Sequence, residues 1–363
     1  MKVLRRKTLT RKSAAHEQFH LSLAPASTSS ASQIEIISKS MSATPTVVYD
    51  TYWRFAAERQ AIFFARMKSS LPPWTSDPVL RIHKFTNCYR ASDRVSQYLI
   101  RNVIYSGSQK PAEVFFRTLL FKIFNKIETW ELLTESFGEV AYVDYSFNRY
   151  DSVLTKAIES GSRIYSAAYI MPSGGPASPF SKKHRMHLTL LEQMMKDELY
   201  KKLADSPSMA NAFTLLRSYT TIGDFLAYQF VTDLNYSDLL NFSEMEFVMP
   251  GPGARDGIRK CFSSLGGLDE SDVIRLVTER QEIEFERLGL SFKSLWGRPL
   301  QLIDCQNIFC EVDKYARVKH PEISGVTGRQ RIKQKFSPIA KLINYWYPPK
   351  WGLNNKIESG EIP

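Results

Sequence analysis

"AEVFFRTLLFKIFNKIETWELLTESF", residues 112–137, decides the class of fold. Wound as a helix it is apolar on several sides, and a helix without a polar face belongs in the middle of a bundle. Stretches of helical period surround it. Upstream, "YWRFAAERQAIFFARMKSS" (52–70) reads as an amphipathic helix, in structure that begins near Tyr49, stopped by "LPPW", because paired prolines cannot continue one. Downstream come "DSVLTKAIESGS" (151–162), "HRMHLTLLEQMMKDELYKKLAD" (184–205), "LDESDVIRLVTERQEIEFERLGL" (268–290) and "LQLIDCQNIFCEVDKYARVKH" (300–320). Strand-like alternation is scarce, with "GSRIYSAAYIM" (161–171) the one tempting run, and no repeat of fixed period is visible. The expected class is mainly α.

At 363 residues, 43% hydrophobic, the chain can bury one large core or two. Nothing approaches the roughly 18–20 apolar residues of a membrane span, so a soluble protein without a membrane partner is expected. The net charge of +11 is unevenly placed: residues 1–33 and 319–363 each carry +5, which leaves the body nearly neutral. A polyanion partner is therefore implied through the ends. Residues 1–45 are basic and Ser/Ala/Thr-rich, a composition that cannot order itself. "RRKTLTRK" suggests a nuclear address, with a mitochondrial or plastid transit peptide as the alternative. The organisation read from these shifts is a leader over 1–45, a helical domain over 46–320 and a basic aromatic extension over 321–363. Cys88, Cys261, Cys305 and Cys310 form no framework and no zinc spacing, so reduced thiols are expected. No metal or cofactor is indicated. His184 and His187 lie at i, i+3, but without nearby ligands they read as structural or exposed.

Several segments carry candidate chemistry. In "YRASDRVSQYLIRNVIY" (89–105) a continuous helix would align Arg90, Arg94, Gln97 and Arg101 on one stripe, either a solvated face or a row of phosphate donors. In "LLRSYTTIGDFLAYQFVTDL" (215–234) two apolar helices flank a short turn. Gly223 there lets a backbone approach, and the following amides attract an anion. "VMPGPGARDGIRK" (248–260) offers Gly251, Gly253, Arg255 and Arg259 as an anion nest or as ordinary helix-start punctuation. Glu244 and Glu246 precede it. As a helix, residues 300–320 align Asp304, Asn307, Glu311 and Lys314, either an acid–base site that receives an amine or a self-neutralising exposed face. The tail interleaves Arg329, Arg331, Lys333 and Lys335 with Tyr345, Trp346, Tyr347 and Trp351, a mixture suited to single-stranded or distorted DNA.

The hairpin outline at 215–234 resembles the helix-hairpin-helix element of DNA glycosylases, with one glycine where two are common. Taken in order, "YWRFAAERQAIFFAR", "PPWTSDPVLRIHKFTNCYRASDRVSQYLIRNVIY", "YTTIGDFLAYQFVTDLNYS", "EFVMPGPGARDGIRKCF" and "LQLIDCQNIFCEVDKYARV" resemble the helical domain associated with 5-hydroxymethyluracil DNA kinases. That domain is akin to the alpha-glutamyl/putrescinyl thymine pyrophosphorylases. The resemblance covers roughly residues 49–318 and implies a glycosylase-like helical enzyme of DNA base hypermodification. A separate kinase would pyrophosphorylate the base, since this chain holds no G-x-x-x-x-G-K-[ST]. A small amine or amino acid would then displace pyrophosphate. On that reading Arg90, Arg94 and Arg255, with Lys314, would hold phosphate. Asn87, Gly223, Gly253, Arg329 and Arg331 would meet DNA, Glu311 or Asp304 would take the amine's proton, and Glu246 is a further candidate acid. Alternatives are a glycosylase acting through Glu244 or Glu246, and a non-catalytic DNA-binding module.

Overall fold

The computed structural model describes residues 43–69, 71–167, 171–173, 179–338, 344–360 and 363. The proposed leader and its address therefore lie outside the described residues, apart from its last three positions. Among the described residues the fold is mainly α, with fifteen α-helices and one two-stranded antiparallel sheet, β1 (Thr44–Pro45) on β2 (Phe262–Ser264). "GSRIYSAAYIM" forms no strand over 161–167.

The apolar run at 112–137 does lie in the core, but as two helices, α4 (Pro111–Phe124) and α5 (Ile127–Phe137). Asn125 breaks them with a left-handed φ of 47°, a conformation asparagine tolerates better than most residues. Every residue of α4 from Glu113 to Phe124 is buried. Its three charged side chains each have internal partners, although Nη1 of Arg117 makes no hydrogen bond. Glu113 accepts the Tyr142 N–H at 2.6 Å, Arg117 donates to the Val103 carbonyl at 3.0 Å, and Lys122 meets Asp233 at 3.1 Å.

Before it come α1 (Val47–Lys68), α2 (Pro78–Ile82) and α3 (Arg94–Tyr98). Residues 89–105 do not form the single helix expected. A 3₁₀ turn at Arg90–Ser92, then α3, then a π turn at Leu99–Ile104 change the period twice. The stripe through Arg90, Arg94, Gln97 and Arg101 is thereby dissolved.

After α5 come α6 (Phe147–Glu159), α7 (Lys183–Lys196), α8 (Leu199–Ala204), α9 (Met209–Arg217) and α10 (Asp224–Leu234). Next are α11 (Pro252–Cys261), α12 (Glu270–Glu279), α13 (Gln281–Arg287), α14 (Leu302–Lys319) and α15 (Asn354–Glu358). Helices α11 and α14 meet backbone to backbone. A Cβ at Gly257 would stand 2.0 Å from the Phe309 carbonyl oxygen, and one at Gly253 2.3 Å from Cys310 Sγ. Only glycine at both positions permits that approach. The described part of the C-terminal extension is docked: Tyr345, Tyr347 and Leu353 are core residues, and Thr327 donates its N–H to Asp256 at 2.9 Å.

Candidate nucleic-acid interface

Arg90 stands apart from any phosphate row. It is 1% exposed, and its guanidinium donates to Gln229 at 3.0 Å, to Asp233 at 2.7 Å and to the Tyr236 hydroxyl at 3.0 Å. Asp233 bridges Arg90 and Lys122. Burial alone would raise its carboxyl, but the two cations outweigh burial and hold it below the usual carboxylate range. Burial presses the Lys122 ammonium down to about 8 against the pull of Asp233. The expectation of Arg90 as a phosphate clamp is corrected by this geometry: the residue is half of a core ion pair. Arg94 and Arg101 are exposed and Arg255 is exposed at the start of α11. Arg259 pairs with Glu270 at 2.7 Å.

The polar stripe of α14 is likewise not a solvated face. Asp304 and Glu311 are 4% and 5% exposed, while Asn307 and Lys314 are half-buried. The two acids lace the 86–93 loop to the helix. Thr86 N–H donates to Glu311 at 3.0 Å and Arg90 N–H to Asp304 at 2.8 Å, while Asn87 N–H donates to Asp93 at 2.7 Å. The other Asp304 oxygen accepts the Gln301 N–H at 3.0 Å, closing the N-terminal box of α14. Glu311 keeps Lys314 at 2.6 Å. Burial, reinforced by Glu244, lifts Asp304 to about 7, and burial lifts Asp93 to about 7 with Glu311 nearby. Carboxyls so placed match proton transfer near neutral pH. Asn87 spends its side-chain amide on the Ser92 carbonyl at 2.7 Å, so it braces the loop and does not present its N–H₂ outward.

Two helix starts sit side by side. Gly223 is the exposed N-cap of α10, and the Phe225 ring comes within 2.9 Å of where a Cβ of Gly251 would lie. Gly251 is the N-cap of α11. Gly253 is spent on the contact with Cys310 described above. Glu246 lies apart from the α14 acids: its carboxylate accepts the Met209 N–H at 2.9 Å at the start of α9. The acid whose charge is felt at Asp304 is Glu244, itself paired with Arg298 at 2.8 Å.

The tail supplies the clearest cationic row. Arg329, Arg331, Lys333 and Lys335 are all exposed, whereas Ile332 and Phe336 turn inward and are half-buried. The segment is pinned to the body by Lys84 N–H to the Gln334 carbonyl at 3.1 Å and by Phe336 N–H to the Ile82 carbonyl at 2.9 Å. The four cations occupy every second position of this exposed segment, so they can follow a strand of phosphates. The aromatic half of the expectation is corrected. Tyr345 and Tyr347 are buried, with the Tyr347 hydroxyl 2.7 Å from that of Ser92, and Arg298 covers the Trp351 ring at 3.9 Å. These rings pack the core and are not free to stack on bases.

His184 and His187 are both buried. His184 meets Asp151 at 2.7 Å, and His187 lies 2.7 Å from the Tyr165 hydroxyl and 3.0 Å from the Pro172 carbonyl. Among the described residues no group of three or more His, Cys, Asp or Glu is placed to hold a metal ion, and no helix is long and apolar enough to cross a membrane. Sequence reasoning did not single out Asp93 as a site residue, nor Arg59 and Arg66, whose seven-residue spacing across Ile62 was the available signal.

A family model described as "5-hmdU DNA kinase, helical domain" matches residues 46–325. A curated relative, the 5-hmdU DNA kinase of Bacillus phage SP10, is 27% identical over 291 residues, covering 75% of this chain and 45% of that protein. The chain thus spans under half the length of this relative. No solved structure matches.

Proposed function

The chain belongs to the 5-hmdU DNA kinase helical-domain family, and we propose on that premise that it acts in DNA base modification. The observation that carries this is the row Arg329, Arg331, Lys333 and Lys335, held exposed on the body: Gln334 accepts from Lys84, two residues before the Thr86 that donates to Glu311. Single-stranded or distorted DNA lies along that row, with Arg94 and Arg255 as further exposed donors.

The chemistry we assign is displacement of pyrophosphate from pyrophosphorylated 5-hydroxymethyluracil by an amine. The amine nitrogen attacks the methylene carbon, the C–N bond forms, and the C–O bond breaks with its electron pair leaving on pyrophosphate. A neutral amine is needed, and the proton it loses passes to Glu311, with Lys314 beside it balancing charge. The base leaves the stack to reach such a site. A 5-hydroxymethyluracil DNA kinase supplies the pyrophosphorylated substrate, and a small amine or amino acid is the second substrate.

A binding module is the second reading. It is favoured by one observation: Asp304 uses both oxygens, and Glu311 one, on backbone N–H groups. Glu311→Gln separates the two. Transfer should fall by roughly a hundredfold or more, the usual reach of a general base, with DNA affinity kept. Unchanged transfer would remove Glu311 from the chemistry.

A further inference from the structure

A cavity of about 270 Å³ opens between α1, the 72–75 loop, α2 and the 336–338 segment. Helix α1 turns Arg59, Ile62 and Arg66 into it at i, i+3, i+7, and α2 with the residue after it adds Arg81 and His83. Among the described residues no carboxylate lines it. Arg59 is 8% exposed. It donates through Nε to the Thr86 carbonyl at 2.9 Å and through Nη2 to the Phe85 carbonyl at 3.5 Å. Its Nη1 is buried with no hydrogen-bond partner, and so is Nδ1 of His83. Among the described residues Arg59, Arg66 and Arg81 form no ion pair with an acid. Burying the Arg59 guanidinium is costly; the Asp93 carboxyl offsets part of that cost from beyond ion-pair distance, while Arg66 adds like-charge repulsion. An anion in the cavity relieves both costs.

The remaining walls are aromatic and imino. Arg66 lies 5.1 Å over the Trp74 ring, Phe336 stands 6.4 Å from Trp74, and Pro72, Pro73 and Phe85 are among the other lining residues. Trp74 is fixed by its Nε1–H donated to the Ser69 carbonyl at 2.8 Å. A flat ring finds a face here and a phosphate finds guanidinium forks. The volume lies just below that of drug-sized ligand pockets, about 300–1,000 Å³, which suits one ring with one phosphate arm and excludes a dinucleotide.

We propose that this cavity binds a single pyrimidine nucleotide, its ring against Trp74 and Phe336 and its phosphate on Arg59, Arg66 and Arg81. The inference rests on the DNA-modification reading only for the source of that nucleotide, a residue extruded from the strand. The cavity shares its rim with the basic row. Phe336 pairs its N–H with Ile82, and the His83 and Lys335 backbones face one another as an antiparallel bridge. A strand on Arg331, Lys333 and Lys335 therefore passes the cavity mouth.

Calorimetric titration of the full-length protein with thymidine 5′-monophosphate, thymidine and inorganic pyrophosphate tests the cavity. The monophosphate should bind, thymidine should bind at least about tenfold more weakly, and the Arg66→Ala/Arg81→Ala double variant should lose at least about tenfold in monophosphate affinity. These two side chains are not core residues, so the variant keeps its fold, checked by its unfolding midpoint. Trp74→Ala should weaken the monophosphate but spare pyrophosphate. No binding of the monophosphate, equal binding of thymidine, or a double variant that binds as the wild type each overturns the proposal. A dT oligonucleotide that competes with the monophosphate identifies an extruded base as the source, whereas one that does not identifies a free nucleotide. Loss of oligonucleotide binding by Arg329→Ala/Arg331→Ala with the monophosphate site intact separates the basic row from the cavity. Wild-type protein that binds the monophosphate but no DNA overturns the DNA-modification reading and leaves the cavity standing.

Discussion

Replacing Arg90 by alanine removes three hydrogen bonds and one half of a buried ion pair at once. The guanidinium lies 2.7 Å from Asp233, 3.0 Å from Gln229 and 3.0 Å from the Tyr236 hydroxyl, with both charged side chains at most 2% exposed. Asp233 would be left with Lys122 alone, at 3.1 Å. Breaking a buried pair by removing one partner costs about 3–5 kcal/mol, because the abandoned charge stays desolvated. At roughly 2–4 °C per kcal/mol for a large domain, the unfolding midpoint should fall by about 6–20 °C. Arg94→Ala is the internal control: its side chain is exposed and should cost within about 0.5 kcal/mol. Urea unfolding of the two variants beside the wild type reads the difference directly. An Arg90→Ala protein as stable as Arg94→Ala would refute the core assignment and return Arg90 to the surface row.

Three further outcomes follow from the same structure. Gly257→Ala places a methyl 2.0 Å from the Phe309 carbonyl and should cost about 1–3 kcal/mol or more by overpacking, seen as a lower urea midpoint. Burial presses His187 down to about 4, below its ordinary 6.5, against the pull of the hydrogen bond to the Pro172 carbonyl and with Lys183 adding to the fall. Between those values the unfolded chain binds the extra proton, so stability should rise with pH over that window and be complete above it. In His187→Gln that slope should flatten. Arg329→Ala/Arg331→Ala should weaken single-stranded DNA binding uniformly across sequences. It should also reduce the slope of log K against log salt by about 0.7 for each phosphate that the variant no longer neutralises.

The helical class was legible because periodicity is a local property: the apolar faces of α1 and α14 can be read from spacing alone. The breaks were less so. Asn125 looks like an ordinary residue in an apolar run until its left-handed φ divides α4 from α5. The α14 stripe was seen, but whether Asp304 and Glu311 face water depends on the 86–93 loop, more than two hundred residues away in sequence. Arg90 was misplaced for the same reason. Its partners Gln229, Asp233 and Tyr236 come from and just beyond α10, and no pattern around residue 90 announces them. The tail divided cleanly. Arg329, Arg331, Lys333 and Lys335 stay exposed, as charge predicts, while Tyr345 and Tyr347 were drawn into the core by their large apolar area.

The proposed work of this helical domain is on a modified base in DNA. The most direct measurement incubates the protein with DNA carrying pyrophosphorylated 5-hydroxymethyluracil and a pool of amino acids and polyamines, then reads the masses of the digested nucleosides. A new amine adduct of thymidine, formed as pyrophosphate is released and absent with Glu311→Gln, is the result predicted here. Unchanged nucleosides with DNA still bound would contradict the transfer chemistry and leave a binding module in its place.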